Sequence, residues 1–360
     1  MTIPFEEKEL EVVSQTPATP FRAAIDIFNY PVTPAEAYGL VYKKAPVWQM
    51  SGLDGRFFTT KAYPDNVARA FVFDGSGFNN AENGGGPDMF GIEWEYVPMV
   101  GGSIVKPGEP LLKDANEWKD KLTRPDMSKW DWEGSAEASK EYLDTTSWVN
   151  VWFLNGWFER LISFMDFENA AVAIIDEDQQ DAVKEMMEWL TDIYIELADY
   201  HIKYFPQING FYIHDDWGAQ KETFFSPVTA REILVPSIKR FVSYLHGKGY
   251  PVELHSCGNN EKQIENFIEM GFDSWTPMSR INDTQMLYDK YGDKIILGVA
   301  SDPLPEGASD DEACELARNY VARFCKPDAP SVLNGDSAGL LGNAAFRKEL
   351  YVQSRIAYNS

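Results

Sequence analysis

His255 and Cys257 stand with one residue between them in the run Pro251-Val252-Glu253-Leu254-His255-Ser256-Cys257-Gly258-Asn259. Val252 and Leu254 are apolar, and Pro251 and Gly258 bracket the run, so it reads as a short strand ending in a polar loop. Side chains alternate faces along a strand, which turns His255 and Cys257 the same way. An imidazole and a thiolate two residues apart on a rigid element make half of a zinc site. The plain alternative is a buried His and Cys packed as neighbours, because free Cys is among the most buried residue types.

The elements that would hold this pair follow a rhythm. Val149–Leu154 is a buried-type strand, and a long amphipathic helix covers about 179–204, with Met186, Met187, Leu190, Ile193, Tyr194 and Leu197 at helical spacing. Gly210–Ile213 is the next strand, running into His214-Asp215-Asp216. Ser226-Pro227 caps a helix that Pro236 should kink or split. After the His255 strand come strands at Ser274–Met278, Lys294–Val299 and Ser331–Leu333, each after a helix; a capping box at Ser309–Glu312 opens the last of these. Before Val149, Ala45–Met50 is a strand with Val47 and Trp48 as its apolar centre. Thr33-Pro34-Ala35-Glu36 starts a helix, and Gly101–Pro110 is loop-like. Strands alternating with helices imply a parallel sheet, and no Gly-x-Gly-x-x-Gly follows any strand. The economical fold is α/β: a (β/α)8 TIM-type barrel with an N-terminal extension. Residues 1–32 form an arm, and 33–360 form one barrel domain with insertions around 79–135.

In such a barrel the active site lies at the C-terminal ends of the strands. The polar residues there are Asn155, His214, Asp215, Asp216, His255, Cys257, Ser301, Asp302 and Asp336. Loops after strands are polar in any case, but two of the four His and a strand-borne Cys fall on this one face. A net charge of −24, from 56 acidic and 32 basic residues, repels nucleic acid and anionic membranes. The absence of an 18-residue apolar run and of a basic-then-apolar N-terminus, with only three Cys, predicts a cytoplasmic chain without disulfides.

The run Asp215-Asp216-x-Gly218, Ser226-Pro227, Pro236, Gly249-x-Pro251-Val252 and His255-Ser256-Cys257-Gly258-Asn259 resembles the uroporphyrinogen decarboxylase superfamily. Pro46-Val47-Trp48-x-Met50 resembles that family's first barrel strand. The resemblance spans about 33–350 and is strongest over 210–302. It implies one of two chemistries: metal-free decarboxylation of tetrapyrrole acetates, or zinc-dependent methyl transfer to or from a corrinoid. The decarboxylases follow Trp-x-Met with Arg-Gln-Ala-Gly-Arg; here Ser51-Gly52-Leu53-Asp54-Gly55-Arg56 follows, and the first Arg is missing. The methyltransferases carry His-x-Cys and a further Cys in the last strand region, where this chain has Asp336.

The methyltransferase branch therefore implies Zn2+ on His255, Cys257 and Asp336, with Cys325 as the alternative third ligand. Cys314 and Cys325, 11 residues apart on one helix, read as structural. Asp215, Asp216 and His214 would be catalytic, protonating or hydrogen-bonding the leaving group. Trp48, Met50, Asn155, Met278 and Asp302 would bind substrate. The substrate would be a small methylated molecule, an aromatic methyl ether being one candidate. No Asp-x-His-x-x-Gly signature is present, so the corrinoid (cobalamin) would arrive on a separate carrier protein. A metal-free lyase, a thiol-methylating methylcobamide methyltransferase and a non-catalytic corrinoid-binding partner stay open as alternatives.

Overall fold

The structure is a computed structural model, and it describes residues 3–16, 25–99, 101–334 and 339–359. Its strands in chain order are β1 (Val12–Thr16), β2 (Ile25–Phe28), β3 (Met50–Ser51), β4 (Gly55–Phe58), β5 (Gly86–Pro87), β6 (Glu93–Val97), β7 (Gly102–Val105), β8 (Trp148–Phe153), β9 (Gly210–His214), β10 (Val252–Ser256), β11 (Ser274–Pro277), β12 (Ile296–Val299) and β13 (Ser331–Leu333). The helices used below are α1 (Pro34–Tyr42), α2 (Trp157–Ala173), α3 (Gln180–Tyr204), α4 (Pro227–Ile233), α5 (Val235–Gly247), α6 (Asp310–Phe324) and α7 (Ala344–Ala357). Eight strands make one sheet in the order β3-β13-β12-β11-β10-β9-β8-β4. The registered pairs β8·β9, β9·β10, β11·β12, β12·β13 and β13·β3 are all parallel. This is the TIM-type α/β barrel that the alternation predicts.

By contacts the chain divides into two units: Met1–Arg56 with Thr146–Trp148 and Asp273–Ser360, and Phe57–Thr145 with Val149–Phe272. In the first unit, the Thr33 hydroxyl accepts from the Glu36 N–H (3.2 Å) while the Glu36 carboxylate accepts from the Thr33 N–H (2.8 Å). That reciprocal box starts α1 where the sequence placed it, and Ser309 and Glu312 do the same for α6. Part of the expected N-terminal arm pairs as β1·β2. Glu9 in it is buried, taking 2.8 Å bonds from Arg355 of α7. The first barrel strand is Met50–Ser51, shorter and later than Ala45–Met50, because the Gln49 N–H donates to the Ser354 hydroxyl instead of a strand ladder.

In the second unit α3 buries Met186, Met187, Leu190, Ile193, Tyr194 and Leu197, the stripe read from their spacing. Burying each such side chain contributes roughly 1.5–3 kcal/mol. Pro236 does split its helix, into α4 and α5. Gly101–Pro110, expected as loop, contains β7, which pairs antiparallel with β6 (Trp94↔Val105, Glu95↔Ile104). Four residues starting on Gly carry too little alternation to announce a strand.

The same unit encloses a charged core. Arg160 of α2 is fully buried and pairs with both Asp65 and Asp88, the latter at 2.7 Å. Asp65 also accepts from the Tyr63 hydroxyl (2.9 Å), Asn155 Nδ2 (3.0 Å) and the Met89 N–H (3.0 Å). Asp88 accepts from Trp94 Nε1 (3.0 Å) and the N–H groups of Phe90 and Ile92. Each buried carboxylate is thus met by donors, and the cation by carboxylates, as desolvation demands. Arg160→Met should cost roughly 3–5 kcal/mol, because two carboxylates stay buried without their cation. The midpoint of urea unfolding, at unchanged m, measures it.

His201 of α3 is also fully buried. Its Nδ1 lies 2.8 Å from the Leu197 carbonyl, and Trp132, Phe153 and Phe205 surround the ring at 5.3, 5.6 and 6.0 Å between centroids. Burial pushes its pKa down from 6.5 to about 4, outweighing the Leu197 carbonyl, so the ring folds neutral. The folded-state pKa is the lower one. The resulting stability is therefore full above pH 6.5 and is lost as pH falls towards about 4. We expect His201→Leu to flatten the acid-side decline of unfolding free energy across that window by roughly 3 kcal/mol. Denaturant melts at a series of pH values read this directly.

Candidate functional site

The register of β9 and β10 places His255 beside His214 at the C-terminal ends of two adjacent parallel strands. Two residues further along each chain come Asp216 and Cys257. The candidate ligand atoms of His214, Asp216, His255 and Cys257 all lie within 4.8 Å of one another. His255 Nε2 is 3.1 Å from Cys257 Sγ, and His214 Nε2 is 3.8 Å from Asp216 Oδ1.

The loops carrying these residues are stitched together. The Cys257 N–H donates to Asp216 Oδ1 at 2.6 Å, and the Asp215 N–H donates to the His255 carbonyl at 3.1 Å. The Ser256 hydroxyl accepts from the Trp217 N–H at 3.0 Å, and the Asn259 N–H reaches the Ala219 carbonyl at 2.7 Å. Gly258 has φ +89°, and a Cβ there would stand 2.1 Å from the Gly218 backbone. Only glycine allows the two loops to approach this closely.

Asp215 turns its carboxylate into the protein. It accepts from the N–H groups of Trp157, Phe158 and Glu159 at 3.0, 3.2 and 2.9 Å, and from Trp217 Nε1 at 2.9 Å. It caps α2 from a neighbouring strand, because the residue at the cap position, Gly156, has no side chain. Burial pushes the Asp215 pKa up to about 7, and the nearby Glu159 charge adds to this.

Burial alone would raise Asp216, but the charges of His214 and His255 draw it below the usual carboxylate range. Burial would lower His214, yet Glu159 and Asp216 hold it well above its ordinary value. Burial raises the Cys257 thiol, against the pull of a His214 hydrogen bond. A cavity of about 590 Å³ adjoins the cluster, with His214, Asp216 and Cys257 in its wall. Phe71, Trp94 and Trp152 supply aromatic surface to the same wall. Arg69, also in this wall, donates to Asn155 Oδ1 at 2.7 Å and lies 3.6 Å from Glu159.

Of the residues singled out in the sequence, His214, Asp216, His255 and Cys257 come together. Asn155 is buried behind them, between Arg69 and Asp65. Trp48, Met50, Met278 and Asp302 belong to the other unit. There Trp48 is buried, its indole donating to Asp54 at 3.2 Å and stacking on Tyr30, and Met50 is fully buried in the core. Met278 is half-buried and Asp302 exposed. Cys325 is buried, with Sγ 3.0 Å from Gln49 Oε1 and a thiol that burial pushes up to about 12. Asp336 lies outside the described residues. Sequence reasoning did not join His214 and Asp216 to the His255–Cys257 pair as candidate ligands, though the signal was present: both strand ends repeat the same i, i+2 spacing of donor side chains. It missed Glu159 and Arg69 altogether, because a helix-borne Glu and a loop Arg look like solvated surface.

The donor chemistry suits zinc: two imidazoles, one thiolate and one carboxylate, four groups that can converge on a single ion. Among the described residues, no helix is long and apolar enough to cross a membrane.

Comparison with known proteins gives four results. Residues 158–334 match the family described as uroporphyrinogen decarboxylase (URO-D). A solved structure of a methyltransferase from Methanosarcina mazei superposes with a TM-score of 0.58 at 14% identity, covering 89% of this chain and 98% of that one. At that identity the likeness is one of fold. A chitinase catalytic domain from Ostrinia furnacalis overlaps 59% of this chain and 50% of that one at 12% identity, with a TM-score of only 0.26. No curated protein matches in sequence. In sequence, residues 158–334 are thus similar to the uroporphyrinogen decarboxylase family, and in fold the chain resembles the methyltransferase.

Proposed function

We propose that this protein is a zinc-dependent methyltransferase. It would move a methyl group between a small methylated substrate and a corrinoid carried by a separate protein. The observation that carries the proposal is the set of four donor atoms within 4.8 Å of one another at the wall of a cavity large enough for a small molecule. The methyltransferase named among the structural neighbours supports it.

In this proposal His214, Asp216, His255 and Cys257 hold the metal, and Asp336 is a further candidate. Zinc when bound supplies a Lewis acid that stabilises negative charge on a leaving oxygen or sulfur. The protein's own residues align and enclose the substrate. Phe71, Trp94 and Trp152 offer aromatic faces, which suit an aromatic methyl ether. Asp215 has its oxygens filled by four N–H donors, so its part is to fix α2. Asp216 and Glu159 are the carboxylates in the cavity wall; Glu159 is engaged by His214, and Asp216 would hydrogen-bond substrate when not ligating.

Metal-free decarboxylation is the second reading, favoured by the description of the matching family. A polycarboxylate would need several cations to hold it, whereas among the described residues of the cavity wall the one arginine, Arg69, is already engaged by Asn155 and Glu159.

Protein purified without chelator should contain about one zinc per chain, as a single site of this type implies. His255→Ala and Cys257→Ala should lose it on dialysis, while Cys314→Ala and Cys325→Ala keep it. Retention by Asp336→Ala would confine the ligands to the four clustered residues. A metal-free protein with full activity would return the decarboxylase reading.

The reaction has its own test. Mixed with cob(I)alamin and a panel of methyl ethers, methylamines and methyl thiols, the protein should form methylcobalamin with one donor class. For an ether, the C–O bond breaks, cobalt receives the methyl, and the oxygen keeps the electron pair and takes up a proton. Absorbance reports the product, and His255→Ala should abolish it. Consumption of methylcobalamin with a thiol instead would reverse the direction of transfer. Failure of both, with a cognate corrinoid protein present, rules methyl transfer out.

A further inference from the structure

We infer that Glu159 is the residue that fixes how His214 presents itself to the metal, a positioning role that rests on the metal reading above. Glu159 Oε2 lies 2.8 Å from His214 Nδ1. A carboxylate at that distance holds a proton on Nδ1, which reserves Nε2 as the nitrogen for a metal. Nε2 is the nitrogen that faces Asp216, 3.8 Å from its Oδ1. A carboxylate on the remote nitrogen also makes an imidazole a better donor and stops the ring from turning.

The carboxylate can do this only if its own place is fixed, and three contacts fix it. The Glu159 N–H donates to Asp215 Oδ1 at 2.9 Å, which ties the first turn of α2 to the residue next to His214 in the chain. The Gly156 N–H donates to the His214 carbonyl at 2.7 Å. Any Cβ on Gly156 would fall 2.2 Å from the Asp215 Cβ, so the strand end and the helix start meet at a spot only glycine can occupy. On its far side Glu159 Oε1 is 3.6 Å from Arg69, whose guanidinium is anchored on Asn155 and lies over the Trp94 ring at 5.1 Å. Glu159 is 12% exposed and His214 13%, so little water competes for the bond between them.

Cobalt(II) titration of metal-stripped protein provides the test, because a thiolate-to-cobalt band and the visible d–d bands report affinity and ligand geometry without any turnover. Glu159→Ala should weaken cobalt binding by roughly 10–100-fold and shift the d–d bands. Glu159→Gln, whose amide oxygen can still accept from Nδ1–H, should restore the wild-type bands and bring the affinity back to within about tenfold. A thermal melt of each variant confirms that the fold is retained. If Glu159→Ala leaves bands and affinity as in wild type, or Gln is no better than Ala, the inference about Glu159 fails while the metal site stands. If wild-type protein gives no thiolate-to-cobalt band at all, the metal reading fails and takes this inference with it.

Discussion

A carboxylate sealed from water must be answered by donors, and Asp215 is such a carboxylate. Its four N–H partners come from the first turn of α2 and from Trp217. One side chain thereby fixes the start of a helix against the end of a strand, and the residues on either side of it inherit their directions. His214 and Asp216 flank it in sequence and face the cavity, while Asp215 points inward as strand alternation requires. The residues that can bind and the residue that holds them in place are consecutive.

A second set of buried charges supports the first. Arg160 follows Glu159 on α2 and is held between Asp65 and Asp88. Asp65 in turn grips Asn155, and Asn155 grips Arg69. The arginine beside Glu159 is therefore not an independent surface cation but the end of a chain of contacts that begins in the core. Such a network costs desolvation energy that a hydrophobic core would not, and what it provides is a single arrangement of polar groups around the cluster.

The barrel was legible in the sequence because its signals are local: apolar runs of strand length, capping boxes at Thr33 and Ser309, and a proline that divides α4 from α5. The His255–Cys257 pair was legible for the same reason, as two donors on one short run. His214 and Asp216 were visible as strand-end polar residues, but assigning them to the same cluster required the β9·β10 register, which is a non-local fact. Trp48 shows the opposite failure. Its family motif pointed to substrate, yet a large aromatic just ahead of a barrel strand is satisfied by a core, and here Tyr30 and Asp54 satisfy it. β7 and Glu159 left no trace, since neither a four-residue strand nor one helical glutamate departs from ordinary surface composition.

The antiparallel sheet β5–β7 carries a consequence of its own. Trp94 of β6 and Ser103, Ile104 and Val105 of β7 stand in the wall of the cavity, while the clustered donors come from β9, β10 and the loops after them. Part of the cavity's shape and the donor cluster are thus written in separate stretches of the sequence, about 86–105 and 214–257. A change in the hairpin can reshape what enters without disturbing a single donor atom. A lineage could exchange one substrate for another through the hairpin alone and keep its reaction.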